Sequence, residues 1–169
     1  MIALTDLDAM IPAVYLGLGT LGTRWQDELK DHLARCQVLV PLLSPRFFAS
    51  HQCLVEWRCF ERRQQLQRET GTFARSAVVP VVWTPLGRDV LPAPYADLRN
   101  ACYDLESHYA DAGLMGLLLH GRPRVFDRVV YQLARKIVEV VFTARLMPCD
   151  PALFDDLLDS LNGARAEEH

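Results

Sequence analysis

The stretch CQVLVPLLSPRFFASHQCLVEW, residues 36–57, decides how this chain folds. Its first half, CQVLVPLLS, is an almost unbroken apolar run of strand length, the pattern of a strand covered on both faces as in a parallel sheet. Pro41 lacks a backbone donor, so the strand is expected to lie at an edge or to bulge there. After Ser44 the pattern changes. PRFFASHQCLVEWRCFERRQQLQRE, residues 45–69, reads as helical, with Cys53, Val55, Trp57, Phe60 and Leu66 available to pack. Arg58, Arg62, Arg63 and Arg68 are assigned to a solvated face.

Towards the N-terminus, IPAVYLGLG (11–19) reads as a short strand running into a loop that carries Gly17, Gly19 and Gly22. From Thr23, the four-residue spacing of Trp25, Leu29 and Leu33 predicts a helix that ends near Arg35. Beyond residue 69, SAVVPVVW (76–83) repeats the strand-with-proline pattern at Pro80. Residues 84–100 read as loop, and LMGLLLH (114–120), set off by Gly113 and Gly121, reads as a last strand. A long helix then opens at Pro123, with Val125, Phe126, Val129, Val130, Leu133, Ala134, Ile137, Val138 and Val141 as its apolar stripe. Pro148 and Pro151 break the chain before ALFDDLLDSLNG (152–163), which reads as a short acidic amphipathic helix and an appendage. The alternation of strand and helix predicts an α/β fold with a mainly parallel sheet of about four or five strands flanked by helices. Residues 1–146 are expected to form the domain, and residues 147–169 a short C-terminal helix and tail.

Composition narrows the function. Half of the 169 residues are hydrophobic, enough for one globular core. A net charge of -3 supplies no field for a polyanion, so nucleic acid is not an expected partner. The apolar runs are far shorter than the roughly 20 residues of a membrane helix, and Asp6 and Asp8 stand where a signal peptide is basic. Five cysteines without a CxxC pair read as reduced thiols, and the protein is expected to be cytoplasmic, with no membrane partner. His32 and Cys36 share a helical spacing, yet no second pair completes a metal site. The P-loop glycine fingerprint is absent.

With these residues in view, the segment 36–57 resembles the core signature of TIR domains. In that family a buried strand ends at a serine, an aromatic pair follows, and a Ser-x-x-Cys-x-x-Glu element opens the next helix; Ser44, Phe47, Phe48, Ser50, Cys53 and Glu56 match. VVPVVWTPL, YADAGLMGLLLH and VVYQLARKIVEVV further resemble the bacterial TIR-like FxsC group. The resemblance covers roughly residues 13–143 and implies a three-layer, flavodoxin-like fold. It implies Glu56 as the catalytic residue of an enzyme that cleaves the nicotinamide from NAD+, a substrate rather than a cofactor. Gly19, Gly22 and Trp25 then belong to a mobile loop over the substrate, while Ser44, Phe47 and Cys53 line its site. Trp25 also reads as a core anchor beside Leu29. Assembly with other TIR-like domains is implied, either to complete an active site or to scaffold without catalysis. Two departures stand out. NAD-cleaving relatives carry Trp where this chain has Gln52, and the chain opens at what reads as the family's second strand.

Overall fold

A computed structural model describes residues 23–71, 75–86 and 107–159. In chain order these form α1 (Thr23–Arg35), β1 (Leu42–Leu43), α2 (Pro45–Ala49), α3 (His51–Glu69), β2 (Val81–Val82), α4 (Ser107–Leu119), α5 (Pro123–Ala144) and a 3-10 turn (Pro151–Phe154) that runs on helically over 155–159. The expected strand at 11–19 lies outside the described residues.

β1 and β2 pair in parallel, Leu42 with Val81 and Leu43 with Val82. An isolated parallel bridge, Leu39 with Val78, keeps the same register, so the ladder passes both prolines without a bulge, one of the two outcomes expected at Pro41. Pro41 still contributes its carbonyl, which accepts from Val81 N–H at 3.0 Å. The missing donor therefore costs no bond on this side of the ladder. Among the described residues these are the two strands.

The next apolar run corrects an expectation. LMGLLLH is the second half of α4, not a strand. It contains no β-branched residue, and Leu and Met favour helix over strand. The far edge of β2 is met instead by a side chain, since Val82 N–H donates to the Tyr109 hydroxyl at 2.8 Å. Gly113 breaks α4 with φ 67 and ψ 174, which brings Met115 N–H to the Trp83 carbonyl at 3.0 Å.

The predicted helix over 45–69 is two helices, because Ser50 takes an extended backbone (φ -88, ψ 110) between α2 and α3. Leu66, expected to pack, is 40% exposed. α1 ends at Arg35 as its spacing predicts, and buries Leu29 and Leu33. The main core joins these to Val55, Cys59 and Phe60 of α3, Val79, and Val140 and Ala144 of α5. A second cluster packs β2 against Tyr109, Leu117, Val129 and Leu133.

Two further expectations are overturned. The segment after Pro148 is no appendage: Phe154 and Leu158 are buried in the main core, and Asp155 and Asp156 pair with Lys30 and Arg62 at 2.5 and 2.6 Å. Arg63, assigned to solvent, is fully buried. Its guanidinium donates to the carbonyls of Leu33, Cys36, Leu146 and Met147 at 2.7 to 3.3 Å. Those carbonyls lie at and just beyond the C-terminal ends of α1 and α5, where backbone acceptors are orphaned and the helix dipole is negative. One cation thus caps two helices.

Candidate functional site

Two serines build the site's framework. The Ser44 hydroxyl, just after β1, accepts the Phe47 N–H at 3.1 Å and starts α2. The Ser50 hydroxyl accepts the Cys53 N–H at 3.3 Å and starts α3. Serine at such a position satisfies one of the four free donors of a helix start. Between the caps, the Phe47 ring meets Phe48 edge-on at 5.3 Å and Trp57 at 6.0 Å. With Leu43 and Leu54 these aromatics form a small cluster that holds α2 against α3.

Because α3 begins at His51, Glu56 falls in its second turn, one turn after Gln52 and Cys53. The Gln52 Nε2 donates to Glu56 Oε1 at 3.0 Å, an i to i+4 pairing. Read from sequence only as a lost aromatic surface, Gln52 is the acid's hydrogen-bond partner; the four-residue spacing was the available signal. His51 is exposed on the helix opening.

Glu56 is half-buried, and burial pushes its carboxyl above the usual 4.5, with the Gln52 hydrogen bond opposing the shift. No cation among the described residues contributes to holding its charge. A carboxylate that gives up water without gaining a positive partner works against folding. Burial also raises the Cys53 thiol above 9.0, against the Ser50 hydrogen bond, and pushes Cys59, one turn beyond Glu56, up to about 12. Both thiols are therefore protonated at neutral pH and are poor nucleophiles.

A stability test follows. The folded value of Glu56 lies above its unfolded one, so the protonated form is the one the fold tolerates, and the cost of ionisation is incurred as pH rises through the folded value. Glu56→Gln should raise the thermal midpoint at pH 7. The gain should shrink with falling pH and vanish below about 4.5, the usual value. Calorimetry of both proteins from pH 7 to pH 4 reads this directly; a destabilised variant at pH 7 would show that the carboxylate is a structural anchor.

Of the other predicted site residues, Ser44 and Phe47 lie on and before α2, in the cluster around Trp57, while Cys53 and Glu56 share a face of α3. Trp25 lies in the first turn of α1, and its side chain is outside the described residues, as are Gly19 and Gly22. No helix among the described residues is long and apolar enough to cross a membrane.

A parallel ladder followed by a serine-capped helix that carries a half-buried acid makes this an α/β domain with its candidate site on α3. Family comparison gives this class its name. The family model described as TIR domain matches residues 13–117, well over half of the chain, and the chain belongs to the TIR domain family. No curated protein and no solved structure matches it.

Proposed function

We propose that this TIR-type signalling domain cleaves NAD+ at the bond between nicotinamide and ribose, with Glu56 as the catalytic group. The observation that carries the reading is the condition of that carboxylate: half-buried, oriented by Gln52, and matched by no cation among the described residues. Such a group is costly to keep, and perturbed acids of this kind concentrate at functional sites. Cleavage of the glycosidic bond develops positive charge on the ribose, and a desolvated carboxylate stabilises it more strongly than one in water. Nicotinamide leaves as a neutral base, so one acid suffices and no second proton donor is required. Water, or a nucleophile of the substrate itself, then takes the ribosyl carbon.

In this reading the segment with Gly19 and Gly22, together with Trp25 at the opening of α1, gates the site, and Ser44, Phe47 and Cys53 shape the wall on which the substrate rests. The alternation of elements and the long α5 favour a flavodoxin-like sheet of more strands, of the FxsC type. A second copy of the chain completes the site on assembly. The alternative is a scaffold that assembles through the same surfaces without chemistry.

Purified protein at high concentration, with a crowding agent, should release nicotinamide from NAD+. Glu56→Gln should lower the rate at least a hundredfold, about the loss seen when one group that stabilises transition-state charge is removed. Assembly of the wild type without any nicotinamide release would favour the scaffold.

A further inference from the structure

The end of α1 and the chain following α5 are far apart in sequence, yet meet around Arg63. Cys36, the residue just past α1, donates its N–H to the His32 carbonyl at 2.8 Å and accepts Arg63 Nη1 at 2.8 Å through its own carbonyl. Cys149 donates its N–H to the Ala34 carbonyl at 3.1 Å, two residues before Cys36. Arg63 Nη2 reaches the Met147 carbonyl at 2.8 Å, two residues before Cys149. Both cysteines are free, both are partly exposed, and both pack against the main core cluster. A direct backbone hydrogen bond joins their segments and the charge of one thiol is felt at the other, so the two residues are neighbours in the fold.

We propose that Cys36 and Cys149 form an oxidisable dithiol, closed to a disulfide by a hydroperoxide, which fastens the end of α1 to the chain after α5. The two thiols interact: a charge on Cys149 opposes one on Cys36, and the Arg63 guanidinium favours the thiolate of either. Burial outweighs Arg63 and raises both above the usual 9.0, so the pair rests as thiols and responds to sustained oxidant. One thiolate attacks a peroxide oxygen, breaking the O–O bond and forming a sulfenic acid as the alcohol or water departs. The second thiolate attacks that sulfur and expels hydroxide, which takes up a proton. In sum two thiols lose two electrons and two protons, and hydrogen peroxide becomes two waters.

The pair is distinct from the cysteines beside Glu56. Cys59 is fully buried, and Cys53 lies on the first turn of α3 with its N–H on Ser50. Closing the bridge would cross-link two helix ends that Arg63 already gathers, constraining the unfolded chain over a very long loop.

The experiment is peptide mapping of the folded full chain after treatment with a small excess of hydrogen peroxide and alkylation of the remaining thiols. The expected product is a Cys36–Cys149 cross-linked peptide pair, lighter by two hydrogens and reversed by a phosphine reductant. Its formation should raise the thermal midpoint by about 5 °C or more. Cys36→Ser and Cys149→Ser should each abolish both effects while leaving a wild-type circular dichroism spectrum. A bridge to Cys53, Cys59 or Cys102, or sulfinic acids at both positions without a bridge, overturns the proposal. Mapping of the wild type decides the matter even if a serine variant fails to fold.

Discussion

Arg63→Met should lower the free energy of unfolding by about 4 kcal/mol or more, the largest loss expected from any single side chain here. The guanidinium donates five hydrogen bonds to four backbone carbonyls. Each bond to a charged donor contributes on the order of 1.5–3 kcal/mol, and these add incompletely because they share one donor group. Methionine fills much of the volume but strips the guanidinium from four carbonyls at two helix ends, of which Met147 keeps the Gln67 amide at 2.6 Å. Arg63→Lys should recover only part of the loss. Lysine keeps the charge, but its compact ammonium cannot reproduce a planar fork that addresses α1 and the end of α5 together. Urea denaturation of the three proteins measures the series, with total stabilities of order 5–15 kcal/mol as the scale. If the methionine variant unfolds within about 1 kcal/mol of the wild type, the carbonyls are finding water and the cation is not the joint between these helices.

That arginine marks where the sequence stopped being readable. Arg62 and Arg63 are neighbours, so a helix turns them about 100° apart, and one goes out to Asp156 while the other goes in behind Phe60. Its position one turn after Phe60 was a hint. The carbonyls that repay its burial belong to α1 and to Leu146 and Met147, and no local pattern announces partners so distant. Both strands were legible because they lie in or beside valine-rich runs, VLV just before β1 and VVPVV through β2, where β-branched residues favour extended chain. LMGLLLH matched a strand in length and apolarity alone; its lack of β-branching was the clue that outweighed the flanking glycines. The frame of the candidate site was legible because helix capping is local: Ser44 and Ser50 act on residues three positions ahead. The burial of Glu56, which gives that acid its chemical interest, depends on tertiary packing and could not be read from spacing.

Gly113→Ala should cost about 3 kcal/mol or more, because two independent penalties meet at one residue. The backbone at φ 67 and ψ 174 lies in a region reserved almost wholly for glycine, where any side chain costs of order 1–3 kcal/mol. A Cβ would also stand 2.8 Å from the Trp83 carbonyl oxygen, 2.9 Å from its carbon and 3.0 Å from Thr84 Cα. These are backbone atoms at the end of the parallel ladder, and Trp83 is held there by its N–H on Leu43 at 2.9 Å. The clash cannot be relieved by rotating a side chain. Relief by moving α4 would stretch the bond from Met115 N–H to the Trp83 carbonyl, and with it the Tyr109 hydroxyl that satisfies Val82. Gly71→Ala separates the two penalties, since Gly71 has φ 72 and a methyl group there would meet nothing within 4 Å. It should lose only the conformational part, about 1 kcal/mol. Equal losses at the two positions, measured by chemical denaturation, would mean that α4 yields to the methyl group; the close approach of helix to strand would then be incidental to how β2 is completed.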